Sequence, residues 1–140
     1  MFKENTLLNY LTFLYADDAI YVYQKKGSVD SVGTFADKDR LLRYKFVGDV
    51  YTNLHPFGNT ITKTNRVTPF NRGLRETDVS VQRFLCIDID PVREAKLNSS
   101  DEEKAEAYYI SEKVLAYIQS FGFPYLVKDS GNGYHIICRV

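Results

Sequence analysis

The sequence predicts an α+β fold, a mixed or antiparallel sheet with helices packed mainly on one face. Short runs rich in Val, Ile, Tyr and Phe read as strands, and one long stretch with apolar residues at helical spacing reads as a helix. The C-terminal half then orders its elements strand, helix, strand, tight turn, strand. The chain has 140 residues, 44% of them apolar, which suits a single domain over residues 1–140 with its own core. Within it, residues 1–48 read as an N-terminal α/β part and 49–140 as the part that carries the motifs. Lys and Arg number 18 and Asp and Glu 18, so no overall basic field announces nucleic acid, although a local basic groove can hide in a neutral total.

Residues 5–15 carry Leu7, Leu8, Leu11 and Leu14 at helical spacing, with Asn5 or Thr6 as cap, and predict an amphipathic helix. Ala19-Ile20-Tyr21-Val22-Tyr23 is aromatic and β-branched, a strand that stops at Lys25-Lys26-Gly27. A polar region follows, then a short helix around Asp37 to Tyr44. Asp49 to Leu54 alternates enough for a second strand, ended by His55-Pro56-Phe57-Gly58. From Asn59 to Thr77 the chain is polar, with Lys63, Arg66, Arg72 and Arg75 spread along it; a long loop bearing cations is as readily a solvated surface as a functional one. Ser100-Asp101-Glu102-Glu103 fits a capping box and opens a helix whose core stripe is Ala107, Ile110, Val114, Ile118 and Phe121, with Gly122 at its stop. Two more strands follow, from Pro124-Tyr125-Leu126-Val127 and from Gly133-Tyr134-His135-Ile136-Ile137-Cys138, joined by a turn from Lys128 to Gly133 built of residues that tolerate positive φ.

The stretch around which the chain is organised is Arg83 to Arg93. Phe84 to Ile87 reads as a strand buried on both faces and leads into Asp88-Ile89-Asp90-Pro91. Residues two apart on a strand share a face, so Asp88 and Asp90 point the same way while Ile89 turns into the core. Two carboxylates held side by side repel; a shared proton or a hard divalent cation relieves this, and oxygen ligands suit Mg²⁺ or Mn²⁺. Asp-Pro is also a common turn start, so the pair by itself reads slightly better as the cap of a strand and a turn. Cys86 and Cys138 lie in apolar, strand-like runs and predict reduced core cysteines with no metal-ligand spacing. The chain has no basic leader before an apolar run and nothing near the ~20 apolar residues of a membrane span, which predicts a cytoplasmic protein without a membrane partner.

The second constellation is Ser130-Gly131-Asn132-Gly133 followed by His135. A glycine-rich turn offers backbone N–H groups to a phosphate, and a nearby imidazole can donate to it or carry a proton. A lone hairpin of this kind is more often only a hairpin with a half-buried histidine. Here a single crossover helix separates it from the aspartate strand, the arrangement of parallel neighbours in one sheet, which would let carboxylates and histidine converge.

Together the blocks RFLCIDIDPVRE, SSDEEKAEA and GFPYLVKDSGNGYHI resemble the catalytic core of the archaeo-eukaryotic primase superfamily. The likeness is greatest to primase-polymerase domains of phage, plasmid and other mobile-element replication proteins, and it spans roughly residues 49–140. Val50-Tyr51 through His55-Pro56, then Asn65-Arg66, resemble the strand and basic loop before the first motif, with His55 where asparagine is expected. The resemblance implies an RRM-like core and template-directed nucleotidyl transfer by a DNA primase or polymerase using two divalent metals. It implies that Asp88 and Asp90 bind the catalytic Mg²⁺ or Mn²⁺, and that Ser130 and His135 contact the phosphates of a nucleoside triphosphate. Arg93 and Lys128 are expected as further phosphate contacts, with surface salt bridging an equally ready reading of either. A single-stranded DNA template and a replicative helicase on the same or an adjacent chain are the implied partners. The family's third acidic motif would lie past Val140, so the resemblance implies the N-terminal portion of a longer catalytic domain. Two other readings stand beside it: a non-catalytic replication-initiator domain that binds nucleic acid, and a metal-dependent nuclease or phosphohydrolase using the same aspartates.

Overall fold

Gly27 and Ser28 form the two-residue loop of a hairpin between β1 (Ile20–Lys26) and β2 (Val29–Phe35), Lys26 pairing with Val29. Gly27 has φ 60°, the requirement for the first central position of a type II′ turn. The computed structural model describes residues 7–58, 62–69, 74–94 and 96–140. The N-cap expected at Asn5 or Thr6, and Arg72, fall outside them. The described elements are α1 (Leu7–Tyr15), β1, β2, α2 (Lys38–Arg43), β3 (Asp49–Thr52), β4 (Val67–Pro69), a 3₁₀ turn (Glu76–Asp78), β5 (Phe84–Ile89), α3 (Asp101–Gln119), β6 (Tyr125–Asp129) and β7 (Tyr134–Arg139). The fold is α+β, with two sheets whose neighbouring strands are all antiparallel. Residues 3–83 and 84–140 form two compact units, each described on its own below.

In the first unit the strand order is β3-β1-β2-β4. β2 was expected as an irregular polar region, and β4 as part of a long loop. β2 pairs along its whole length with β1, and the segment leading into β4 is bound to β2 by Asn65 and Thr64: Asn65 N–H donates to Thr34 O at 2.8 Å, Ala36 N–H to Asn65 Oδ1 at 2.9 Å and Thr34 N–H to Thr64 Oγ1 at 3.2 Å. One face of β1 is fully buried at Ile20 and Val22, as are Phe35 of β2 and Leu14 and Tyr15 of α1, to within 1%. Leu7 and Leu8, expected on the buried stripe of α1, are exposed. Asp37 caps α2 by accepting from Arg40 N–H at 2.8 Å.

The second unit is a β5-β7-β6 sheet with α3 on one face. β5 and β6 run parallel but are not neighbours; β7 lies between them, antiparallel to both, a split β-α-β arrangement. The expectation that the crossover would make parallel neighbours is corrected accordingly. Ile89, Ile136 and Cys138 of the sheet pack with Ala107, Leu115 and Ile118 of α3. Burying a Leu or Ile side chain fully stabilises by about 1.5–3 kcal/mol, so this cluster holds the helix to the sheet. Ser100 caps α3, and the reciprocal bonds with Glu103, 3.2 Å and 2.8 Å, form the expected capping box. The core stripe differs from expectation: Ile110 and Phe121 are exposed, and Ser111 and Leu115 are buried. Ser111 tolerates burial because its hydroxyl donates to Tyr108 O at 2.7 Å.

Candidate functional site

Strand β5 alternates as its pattern demands. Leu85, Ile87 and Ile89 belong to the face that packs on α3, and Phe84, Cys86 and Asp88 to the other. The strand is not buried on both faces, however: Leu85, Cys86 and Asp88 are exposed. Cys86 is therefore a surface thiol and only Cys138 is a core cysteine. Partial burial, followed by the Asp88 carboxylate, pushes the Cys86 thiol pKa up.

Register assembles the site. Asp88 stands directly opposite His135, and His135 directly opposite Lys128, so three chemistry-bearing residues form one row across β5, β7 and β6 on the face away from α3. His135 Nε2 lies 3.2 Å from Asp88 Oδ1, and the Asp88 side chain keeps 61% of its surface exposed against 32% for His135. The carboxylate is thus open to a ligand while the imidazole is partly enclosed.

Asp90 follows the last residue of β5 and is exposed. Its Oδ1 lies close to Gly133: a Cβ at that glycine would stand 2.9 Å from it and 2.1 Å from Ile89 O. Gly133 is required by this close approach, not by positive φ; Gly131, at φ 97°, is the residue of the turn that uses the left-handed region.

The turn is held from inside. Ser130 N–H donates to Gly133 O at 3.0 Å, Gly133 N–H to Ser130 Oγ at 3.0 Å, and Gly131 N–H to Asp129 Oδ1 at 2.7 Å. These three N–H groups are already satisfied within the turn. The Ser130 hydroxyl accepts from Gly133 and so keeps its own proton to donate. Asn132 ties the turn to the start of α3, accepting from Ser99 N–H on Oδ1 at 3.1 Å and from the Ser99 hydroxyl on its backbone oxygen at 2.7 Å. Lys104 of α3 pairs with Asp129 at 2.9 Å, and that ammonium with the Gly131 N–H holds the Asp129 carboxyl below the usual range. Asn132, Lys104 and the steric need for Gly133 had no signal in the sequence, since each depends on a partner distant along the chain.

Arg93 is engaged locally, Nη1 donating to Leu97 O at 2.6 Å, with its Nε buried and unpartnered. Of the residues singled out in the sequence, Asp88, His135 and Lys128 come together by register. Asp90 and Ser130 flank the same turn through their contacts with Gly133, and Arg93 is tied to its own loop.

Among the described residues, no group of three or more His, Cys, Asp and Glu side chains is arranged to hold a metal ion. The donors offered are the two carboxylates. That set fits a hard, oxygen-seeking ion such as Mg²⁺, which commonly takes one or two carboxylates and completes its shell with water and substrate phosphates. No helix among the described residues is long and apolar enough to cross a membrane. Comparison with known proteins yields no matching family model, no matching curated protein and no matching solved structure.

Proposed function

We propose that the second unit carries the metal- and nucleotide-binding residues of a primase-polymerase, a nucleotidyltransferase that copies single-stranded DNA in the replication of a phage, plasmid or other mobile element. The observation that carries this reading is the opposition of Asp88 and His135 at 3.2 Å, beside a turn packed against Asp90. Binding alone has no need for two exposed carboxylates, one of them 3.2 Å from a histidine.

Asp88 and Asp90 would hold Mg²⁺ or Mn²⁺, which supplies charge neutralisation at the phosphates and activation of an attacking 3′-hydroxyl. His135 is placed to donate to a phosphate oxygen or to hold a proton at Nε2, the atom that faces Asp88. Ser130 has its hydroxyl proton to give to a phosphate oxygen, because its lone pair already accepts from Gly133 N–H. Lys128, across from His135 in register, adds positive charge to the same row. The protein's contribution is positioning and electrostatic complementarity rather than covalent chemistry. A replicative helicase on the same or an adjacent chain is the partner this activity calls for.

The test is calorimetric titration of a nucleoside triphosphate with Mn²⁺ and with chelator, for the wild type and Asp88→Asn. Binding is expected to require the metal and to weaken by at least about tenfold in the variant, equivalent to about 1.4 kcal/mol. The melting temperature should stay near that of the wild type, since Asp88 is exposed. Equal affinity in Asp88→Asn overturns the metal assignment. Hydrolysis of a nucleic acid in place of chain extension would move the same carboxylates to a nuclease.

A further inference from the structure

The first unit holds a cleft of about 450 Å³ that the carboxylate site does not use, lined by Tyr21, Tyr23, Tyr51, Leu54, His55 and Arg75, among others. Its volume falls within the range of small-ligand sites. The tyrosines share a surface for a topological reason. Ile20 and Val22 are fully buried, so strand alternation sends Tyr21 and Tyr23 to the opposite face of β1. Tyr51 of β3 is the register partner of Tyr23, and the two rings lie 5.8 Å apart at 45°. Tyr51 is 55% exposed on an edge strand, where burial gives it no reason to be aromatic.

The zero net charge of the chain conceals a segregation. Residues 3–83 hold 12 Lys and Arg against nine Asp and Glu, a net of +3; residues 84–140 hold six against nine, a net of −3. The tyrosine cleft lies in the positive unit and the paired carboxylates in the negative one. The positive surplus of the first unit suits a polyanionic partner.

We infer that the tyrosine-lined cleft is a stacking site for unpaired bases of a single-stranded nucleic acid. Tyrosine presents a π face that any base can stack on, and the positive surplus of the same unit suits the phosphates that join the bases. A free triphosphate has little purchase here, because among the described residues the one Lys or Arg lining the cleft, Arg75, is followed by Glu76, which lines it too. The inference deepens the proposed function by giving a single strand a site in the first unit, and its observations, the tyrosine cleft and the charge, do not depend on the carboxylate site.

The chain contains 11 Tyr and no Trp, so tyrosine emission is read without tryptophan interference, and the Tyr51 variants assign the part that comes from the cleft. The experiment titrates the full chain, in chelator and without nucleotide, with a single-stranded oligodeoxyadenylate and with an abasic strand of the same length. Quenching by the intact strand is expected, with affinity falling as salt rises. The abasic strand and the Tyr51→Ala variant should each bind at least about fivefold to tenfold more weakly, and Tyr51→Phe should bind as the wild type does. Circular dichroism confirms that the variants fold; should Tyr51→Ala fail to, the abasic strand and Tyr51→Phe still decide. Equal binding of the abasic strand overturns the proposal, as does equal binding by Tyr51→Ala. It also falls if adenosine monophosphate binds as tightly as the strand, or if only a proline-rich peptide quenches the emission.

Discussion

Replacing Gly133 by alanine tests whether the glycine turn is held against the aspartate strand as the geometry requires. The added Cβ would stand 2.1 Å from Ile89 O, 3.1 Å from Ile89 C and 2.9 Å from Asp90 Oδ1. An ordinary carbon–oxygen contact needs about 3.3 Å, so the backbone of β5 and the turn must separate by more than about an ångström. The obstacle is backbone, and Ile89 is fixed by its pairing with Tyr134 and by its burial in the α3 core, so little can yield. Overpacking of this kind costs about 1–3 kcal/mol, against which the smaller entropy of an unfolded alanine chain returns about 0.4–1 kcal/mol. The melting temperature should fall by several degrees, and the amide resonances of Ile89 and Asp90 should shift. Gly131→Ala is the control. Its Cβ meets nothing within 4 Å, so its cost comes from φ 97° alone and should leave Ile89 and Asp90 undisturbed. A Gly133→Ala protein that melts at or above the wild-type temperature would refute the close approach.

Two further outcomes follow from the same unit. The Asp129 carboxyl is held below its usual range by Lys104 first and the Gly131 N–H second, so the unfolded chain takes up its proton before the folded one does. The stabilisation is therefore complete above about pH 4 and is lost as pH falls through the folded-state value; urea midpoints of Asp129→Asn should show a flatter acid limb than wild type, and superimposable limbs would contradict the pairing. Cys86 is exposed and Cys138 is 1% exposed, so an aromatic disulfide reagent should titrate one thiol in the native protein and two in urea. Partial burial and then Asp88 raise the Cys86 pKa, so Asp88→Asn should speed that native reaction, and two thiols reacting at one rate would contradict the burial assigned to Cys138.

Local signals were legible in the sequence, and signals that depend on a distant partner were not. The capping box of Ser100 and Glu103 requires only neighbours in the chain, and it forms as the pattern says. Strand β2 was obscured by Asp30, Ser31 and Gly33, residues that weaken a strand signal. Gly33 is there because a Cβ would stand 2.3 Å from Arg66 O of the adjoining segment, an approach that composition does not encode. The error in the α3 stripe has a similar cause. Reading Ile110 and Phe121 as core assumed that every apolar residue at helical spacing faces inward. The sheet is only three strands wide, and its cluster takes Ala107, Leu115 and Ile118 together with a hydroxyl that finds its partner inside the helix. A short apolar run looks buried on both faces, but in β5 only the two ends, Phe84 and Ile89 on opposite faces, are buried, while Leu85, Cys86 and Asp88 between them are exposed.

The candidate site was legible in its parts and not in its assembly. Asp88-Ile89-Asp90 and the glycine turn are contiguous features, so each announces itself. What joins them is the register of β5 on β7, which sets Asp88 against His135 rather than against a neighbour. A slip of one residue would carry His135 to the α3 face and leave the carboxylate facing an isoleucine. The residues that prevent this slip are Ile89, Ile136 and Cys138, buried to 8%, 0% and 1%, which have no chemistry of their own. Their side chains reach the helix-packing core only where this alternation is kept, and in the observed register it sets Asp88 and His135 together on the opposite face. The placement of the polar pair is thus a consequence of apolar packing on the other side of the same three strands.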